Sequence, residues 1–371
     1  MNFAILGSRG FPSTYSGYET LVRYLAPALA AAGHSVSVYS REPVGRGRTW
    51  EHEGIRCIAT PGLSGKSLST PTYGLTSSVD ATFRDFDAVL VVNIANGFWL
   101  PLLRLAKTPT AVNTDGIEWE RGKWNRTAQA IFRRGAQMCA RHASELICDS
   151  RGIGEIWSEL FDRESTFIPY GAPVLTEVGN DRLAGVGLTD RPYLLSVARL
   201  VPENNVDLTL DAANLLADRG ITTVIVGASV GDSPIADRLR WLTEEKRVLW
   251  LGHVSDQELL NQLWANCTVY VHGHSVGGTN PSLLQAMGAG APTLALDTRF
   301  NAEVIDAPEQ LYQADAKDLA ARIDSLLGDP ERRAAIASAG RRRIAADYSW
   351  DAVCAGYLEV LEGLAAGARQ A

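Results

Sequence analysis

Positive charge is what this 371-residue sequence has least to spare: 35 Lys+Arg face 42 Asp+Glu, a formal net charge of −7. Such a balance gives no global pull toward nucleic acid or anionic lipid, so only a local basic patch could act there. Cysteine is scarce too. Cys57, Cys139, Cys148, Cys267 and Cys354 are odd in number, widely spaced and without a CxxC pair. That argues against a disulfide framework or a structural zinc site and reads as reduced, mostly buried thiols of a cytosolic protein. The opening residues, Met1 to Gly7, lack the basic region and cleavage site of a secretory signal. The apolar-rich uncharged stretch at residues 88–103 is broken by Asn93, Asn96, Gly97 and Pro101. It falls short of the ~20 apolar residues of a spanning helix. Internal repeats and low-complexity blocks are absent. With 46% hydrophobic and 21% charged residues, what is there is an ordinary globular protein, long enough for two domains.

Short apolar runs alternate with helical patterns along the whole chain. Residues 3–6, 35–39, 88–92, 110–112, 145–148 and 166–168 read as strands in the first half, and 193–197, 223–226, 248–251, 268–271 and 292–296 in the second. They are nearly continuous rather than alternating, as in parallel strands covered on both faces. Helical patterns such as 19–32 and 206–219 lie between them. Strand, helix, strand repeated in this way predicts a doubly wound α/β sheet, and here it occurs twice. The Gly-, Pro- and Asp-rich stretch 173–190 is expected as a linker between domains at 1–172 and 191–348, and 347–364 has the pattern of a last amphipathic helix. Two such Rossmann-like domains would face a cleft, with ligands beyond the carboxyl ends of the strands.

The residues just after each strand therefore carry the chemistry. The first strand runs into Gly7-Ser8-Arg9-Gly10, and Ser16-Gly17-Tyr18-Glu19 opens a helix. Glycines there admit close backbone approach, and a helix N-terminus suits phosphate or an acceptor. Equally, Ser16 and Glu19 have capping-box spacing. The pattern is not GxGxxG, and Ser40-Arg41 stand where a nicotinamide site needs an acid, so a dinucleotide site is disfavoured. Arg199, past the strand at 193–197, could fork phosphate oxygens. The strongest segment is His272-Gly273-His274-Ser275-Val276-Gly277-Gly278-Thr279-Asn280-Pro281, with Asn280 as N-cap and Pro281 at the first helical position. Its amides and helix dipole suit an anion, and Gln285, one turn on, suits a polyol. His272 and His274 lack a third partner for a metal. Asp115 follows a strand and could orient or deprotonate a sugar hydroxyl, or merely cap a helix. Trp119, Arg121, Lys123, Trp124, Arg126, Arg133 and Arg134 read either as a solvated helix face or as contact with a membrane interface or pyrophosphate-lipid. Asp85-Phe86-Asp87 precedes a strand, at the wrong edge for a site, and Arg341-Arg342-Arg343 reads as a solvated face.

At these residues the sequence resembles the retaining GT-B glycosyltransferases of the glycogen-synthase-like, group 1 type. The resemblance covers nearly the whole chain. It runs through Gly17, Ala32-Gly33-His34-Ser35-Val36, Asp149-Ser150, Ile168-Pro169-Tyr170-Gly171, Ala198-Arg199-Leu200-Val201-Pro202-Glu203, Leu251-Gly252-His253-Val254 and Gln285-Ala286-Met287-Gly288-Ala289-Gly290. The wording Asp115-Gly116-Ile117-Glu118-Trp119 and 272–281 is similar to a narrower bacterial subgroup that includes rhamnosyltransferases of surface-polysaccharide assembly.

The resemblance implies a nucleotide-sugar donor held by the second domain: Arg199 and Asn204 at the diphosphate, His253 and Val254 at the base, Gly277, Gly278, Thr279 and Asn280 at the phosphates and sugar, Gln285 at the ribose. It implies an acceptor on the first domain near Gly10, Ser16, Gly17, Asp115 and Glu118, and a final helix, 349–368, returning to that domain. Asp115 and Arg199 would be catalytic. No metal or other cofactor is required. Three departures stand out: the family usually has Glu at Gln285, Glu at Gly277 and Lys at Asn204. A neutral amide suits one ribose hydroxyl better than two, which favours a deoxyribose donor such as dTDP-rhamnose. A UDP- or GDP-sugar transferase, a sugar-nucleotide epimerase or hydrolase, and a non-catalytic sugar-nucleotide-binding protein are the alternatives. The expected partners are the donor and a saccharide or lipid-linked acceptor, not nucleic acid. The expected place is the cytoplasm, with peripheral contact at the inner membrane face left open.

Overall fold

A computed structural model describes residues 1–12, 17–41, 48–63, 69–114, 116–120, 125–189, 191–229 and 233–370. The chain divides into two units, Met1–Tyr170 with Trp350–Ala371, and Gly171–Ser349.

The first unit is built on β1 (Asn2–Leu6), β2 (Ser35–Ser40), β3 (Thr49–His52), β4 (Ile55–Ala59), β5 (Ala88–Val92), β6 (Thr110–Asn113), β7 (Glu145–Cys148) and β8 (Thr166–Phe167). Their order in the sheet is β3-β4-β2-β1-β5-β6-β7-β8. All pairs are parallel except β3 with β4. The central strands are buried along their length because helices cover both faces, which is why their sequences are apolar without alternation. The β3–β4 hairpin was not expected from the sequence. Its edge strand β3 alternates exposed and half-buried positions, and Glu53 and Gly54 turn it with φ 51 and 75. The order reverses between β1 and β5, so the loops leaving those strands flank a crevice.

The second unit holds β9 (Tyr193–Val197), β10 (Thr222–Val226), β11 (Val248–Gly252), β12 (Val269–His272), β13 (Thr293–Leu296) and β14 (Leu311–Tyr312). Their order is β11-β10-β9-β12-β13-β14, every pair parallel. Here the reversal lies between β9 and β12. Of the stretch 173–190, expected as a linker, the described residues 173–189 pack onto this unit. Leu183 and Leu188 are buried, Gln262 Nε2 donates to Asp181 at 2.6 Å, and Arg182 pairs with Asp256 and Glu258.

The last helix, Trp350–Gln370, belongs to the first unit. Trp350 stacks on Tyr24 at 4.2 Å, Asn113 Nδ2 donates to Tyr357 Oη at 2.5 Å, and His34 meets Glu362 at 3.1 Å. All five cysteines are free and buried. Among the described residues, no helix is long and apolar enough to cross a membrane.

Candidate active site

In the second unit the site is built from the two loops at the strand reversal. β9 delivers Ala198 and then Arg199, which is exposed. Among the described residues its side chain makes neither hydrogen bond nor ion pair. Its backbone is fixed. Asn204, expected from the sequence at the diphosphate, is buried and braces the arginine: its Nδ2 donates to the Arg199 carbonyl at 2.8 Å. Asn205, at φ 52, donates through Nδ2 to the Gly273 carbonyl at 2.8 Å. The amide and hydroxyl of Ser275 both donate to the Glu203 carbonyl at 2.9 Å. The loops after β9 and β12 are thus stitched together. Gly273 has to be glycine, since a Cβ there would lie 2.6 Å from the Asn204 carbonyl oxygen. The Glu203 carboxylate is buried, and among the described residues neither of its oxygens has a hydrogen-bond partner. A carboxyl kept so is costly, which marks a loop shaped for something besides stability.

β12 ends on His272, whose ring stacks on that of His274 at 4.3 Å and 9°. Tyr312 Oη donates to the His272 carbonyl at 3.2 Å, and Asn301 Nδ2 to the His274 carbonyl at 2.9 Å. Among the described residues no three His, Cys, Asp or Glu gather to hold a metal. Burial, with His274 adding to it, pulls the His272 pKa well below its ordinary 6.5. His272 is therefore neutral in the fold, while in the unfolded chain it takes up a proton as pH falls through about 6.5. Stability contributed above that pH is lost below it, with a slope approaching about 1.4 kcal/mol per pH unit. Denaturant titrations between mildly acidic and neutral pH should show this acid loss for the wild type and a shallower one for His272→Gln.

Beyond the histidines, Gly277 takes φ 131, and Asn280 caps the helix Pro281–Ala289, accepting from the Ser282 amide at 3.0 Å. Thr279 is buried, while Gly278 and Gln285 are half-buried. Gln285 Oε1 accepts a long bond, 3.4 Å, from Gln257 Nε2. Past β11, Gly252 turns at φ 64, leaving His253 exposed and Val254 half-buried. Arg199, the glycine loop and His253 thus all stand at the carboxyl edge of one sheet.

In the first unit the corresponding loops follow β1 and β5. Gly7 lies so close to the β5 exit that a Cβ would sit 2.1 Å from the Val92 carbonyl oxygen, and one on Gly10 would sit 2.4 Å from Ser40 Oγ. Two charges, half-buried Arg41 and buried Glu19, hold this loop. Arg41, just past β2, donates from Nε to the Ser8 carbonyl at 3.1 Å, from one terminal nitrogen to the Gly7 carbonyl at 2.9 Å and from the other to Thr70 Oγ1 at 3.2 Å. Burial lowers its pKa, opposed by Glu19. Glu19 turns its carboxylate to the Arg9 amide at 2.9 Å. Gly17 begins the helix Gly17–Ala31, and Glu118 is half-buried on a 3₁₀ turn, Glu118–Glu120. Ser16 and Asp115 lie outside the described residues.

Two family models match this chain: "Glycosyl transferases group 1" over residues 184–343 and "Glycosyl transferase 4-like domain" over residues 16–171. The chain belongs to the group 1 glycosyl transferases. Its architecture is the GT-B fold. It superposes with a TM-score of 0.82 on sucrose-phosphate synthase from Thermosynechococcus elongatus, at 21% identity and 99% coverage of both chains. It is similar to the glycogen synthase of Mycobacterium tuberculosis, 26% identical with 97% of this chain and 94% of that protein covered. It is also similar to the GDP-mannose-dependent alpha-(1-6)-phosphatidylinositol monomannoside mannosyltransferase of M. tuberculosis, 28% identical over 191 residues. That match takes in 47% of this chain and spans about half, 49%, of the relative.

For this group 1 protein, two supports of the site were not anticipated from the sequence. Arg41 was noted only as the absence of an acid. The signal that pointed to Arg199, an arginine directly after a parallel strand, was present there too. Glu203 gave no signal, because burial of a single carboxyl within a polar loop is a tertiary property.

Proposed function

We propose that this protein is a nucleotide-sugar-dependent hexosyltransferase that passes a sugar to a saccharide or lipid-linked saccharide in surface-polysaccharide or glycoconjugate assembly, with retention at the anomeric carbon. The observation that carries this reading is Arg199: an exposed guanidinium without a partner among the described residues, on a loop stitched to the one that leads into the Asn280-capped helix. A diphosphate there would meet five N–H donors of the arginine and the positive end of the helix. Both stabilise most strongly the charge that grows as the glycosidic bond breaks. The acceptor hydroxyl then attacks on the face the diphosphate leaves and gives its proton to a diphosphate oxygen, with Asp115 as the side chain that orients it. Membership of the glycosyl transferase family supports the reaction class.

The best reading of the donor is dTDP-rhamnose, supported by the neutral Gln285 at the expected ribose position. Its carbonyl oxygen is already engaged by Gln257, so its amide is the free end. A ribose with a single hydroxyl asks less of such a group than one with two. Thermal stabilisation against dTDP, UDP, GDP and ADP with their sugars tests both levels, because a ligand of the folded state alone raises its stability by mass action. Preference for dTDP-rhamnose is the expected result. Preference for UDP or GDP, the nucleotide of the similar mannosyltransferase, would overturn the donor and keep the reaction. No response to any of them would leave a non-catalytic protein. A second readout, a new glycoside against free or isomerised sugar, separates a transferase from a hydrolase or epimerase.

A further inference from the structure

On the first unit, the helix Arg126–His142 contains no Asp or Glu. Its arginines Arg126, Arg133, Arg134 and Arg141 are all exposed. At 3.6 residues per turn they fall within a sector about 100° wide and extend over roughly 22 Å of helix. Among the described residues none of the four makes an ion pair, and Arg134 donates only to Gln137, at 3.0 Å. Other arginines are neutralised: exposed Arg182 and Arg219 and half-buried Arg238, Arg322 and Arg343 each pair with a carboxylate. An unneutralised stripe of four arginines concentrates positive charge locally on a chain of net charge −7.

The stripe is rigid. Gly135, Ala136, Cys139 and Ala140 of the same helix are buried. A Cβ on Gly97 would lie 2.3 Å from the Gly135 carbonyl oxygen, and one on Gly135 would lie 2.6 Å from the Ile94 carbonyl oxygen. Such close backbone packing fixes the helix before anything binds, so little order has to be gained on docking. Apolar groups accompany the charge. Ile131 is 52% exposed, and Leu105, beside Arg104 whose guanidinium reaches the Arg141 carbonyl, is 84% exposed. Trp119 takes no part, because it packs edge-on against Trp157 and Phe161.

We propose that this arginine stripe docks the protein on an anionic lipid bilayer, the guanidinium groups on headgroup phosphates and Ile131 and Leu105 at the acyl boundary. Charge complementarity selects an anionic surface, and exposed aliphatic side chains beside the arginines select lipid over single-stranded nucleic acid, which would call for exposed rings to stack on bases. The helix begins after the loop that leaves β6, the loop carrying Glu118, so the stripe runs from the carboxyl edge of that sheet down its flank. The inference rests on the proposed function in one respect: a lipid-linked acceptor gives the enzyme a reason to sit there.

The test is co-sedimentation of the full chain with vesicles of phosphatidylcholine containing one third phosphatidylglycerol, against phosphatidylcholine alone, at low and high salt. Binding to the anionic vesicles only, lost at high salt, is expected. The double variant Arg133→Glu, Arg134→Glu should bind at least about tenfold more weakly, since each basic residue near the surface contributes separately. Its thermal stabilisation by nucleotide should equal that of the wild type, which shows the variant is folded with its donor site intact. No vesicle binding by a wild type that responds to nucleotide overturns the docking and leaves the function standing. Vesicle binding without any nucleotide response does the reverse. Equal binding to neutral vesicles, or to a DNA duplex in preference to vesicles, overturns the proposal.

Discussion

Replacing Arg199 with alanine should lower kcat/KM for the nucleotide-sugar by about 10²–10³-fold, as removal of one preorganised donor to a developing charge does elsewhere. Part of that loss is ground-state binding. A charge-assisted hydrogen bond is worth about 1.5–3 kcal/mol, so affinity for the free nucleoside diphosphate should fall roughly 10- to 100-fold. The remainder should appear in kcat, because the diphosphate gains charge as it leaves. Stability should change by no more than about 0.5 kcal/mol, since the exposed side chain has no partner within the fold to lose. Arg199→Lys separates charge from shape. It keeps the cation and gives up the planar fork, so it should recover part of the binding and less of the rate. Calorimetry with the nucleotide and steady-state kinetics with the donor measure the two parts. An alanine variant within a few-fold of the wild type in both would place the diphosphate elsewhere. The variant that melts early would instead show that the loop after β9 depends on the side chain, contrary to the backbone bonds that hold it.

Most of the sheet was legible because burial on both faces leaves no choice of residue. Ala88–Val92 and Tyr193–Val197 are apolar runs that could be nothing else once helices flank them. The β3–β4 hairpin escaped because an edge strand needs only one buried face, and β14 because two residues make no pattern. Within the site, position was easier to read than use. Arg199 and the glycine loop stand at the strand reversal, as the spacing of strand and motif predicts. Asn204 sits in the same loop, yet its amide is spent on the Arg199 carbonyl. The run Arg341-Arg342-Arg343 shows the same limit. Only Arg342 behaves as a solvated residue. Arg341 clamps the Leu175 and Ala289 carbonyls, and Arg343 reaches the Val304 and Glu303 carbonyls. A sequence gives the reach of an arginine but not which carbonyls a distant loop will bring to it. Trp119 likewise reads as an interfacial aromatic and is in fact held by Trp157 and Phe161, on a helix it does not adjoin in sequence.

Gly227→Ala should be the most damaging single methyl in the second unit. Gly227 follows β10 at φ 142, a conformation side chains rarely adopt, and an alanine Cβ there would lie 1.8 Å from the Ala198 carbonyl oxygen. Neither side can yield cheaply. The Gly227 amide donates to the Gly252 carbonyl at 2.7 Å, Trp250 Nε1 donates to the Gly227 carbonyl at 2.8 Å, and the Ala198 amide is tied to the Val226 carbonyl at 2.9 Å. Backbone strain and overpacking together should cost about 3–5 kcal/mol. Gly220→Ala is the control: at φ 66 with open space around it, it bears strain alone and should cost about 1 kcal/mol. Denaturant unfolding of the two variants measures the difference. The consequence for function follows from what Gly227 touches. Ala198 is the residue before Arg199, and Gly252 the residue before His253, so one displaced backbone would move both the arginine expected at the diphosphate and the histidine expected at the base. Molecules of Gly227→Ala that remain folded should therefore also lose stabilisation by nucleotide, whereas Gly220→Ala should keep it. Retained nucleotide response in a destabilised Gly227→Ala would mean that the loops after β9 and β11 move independently of the strand between them.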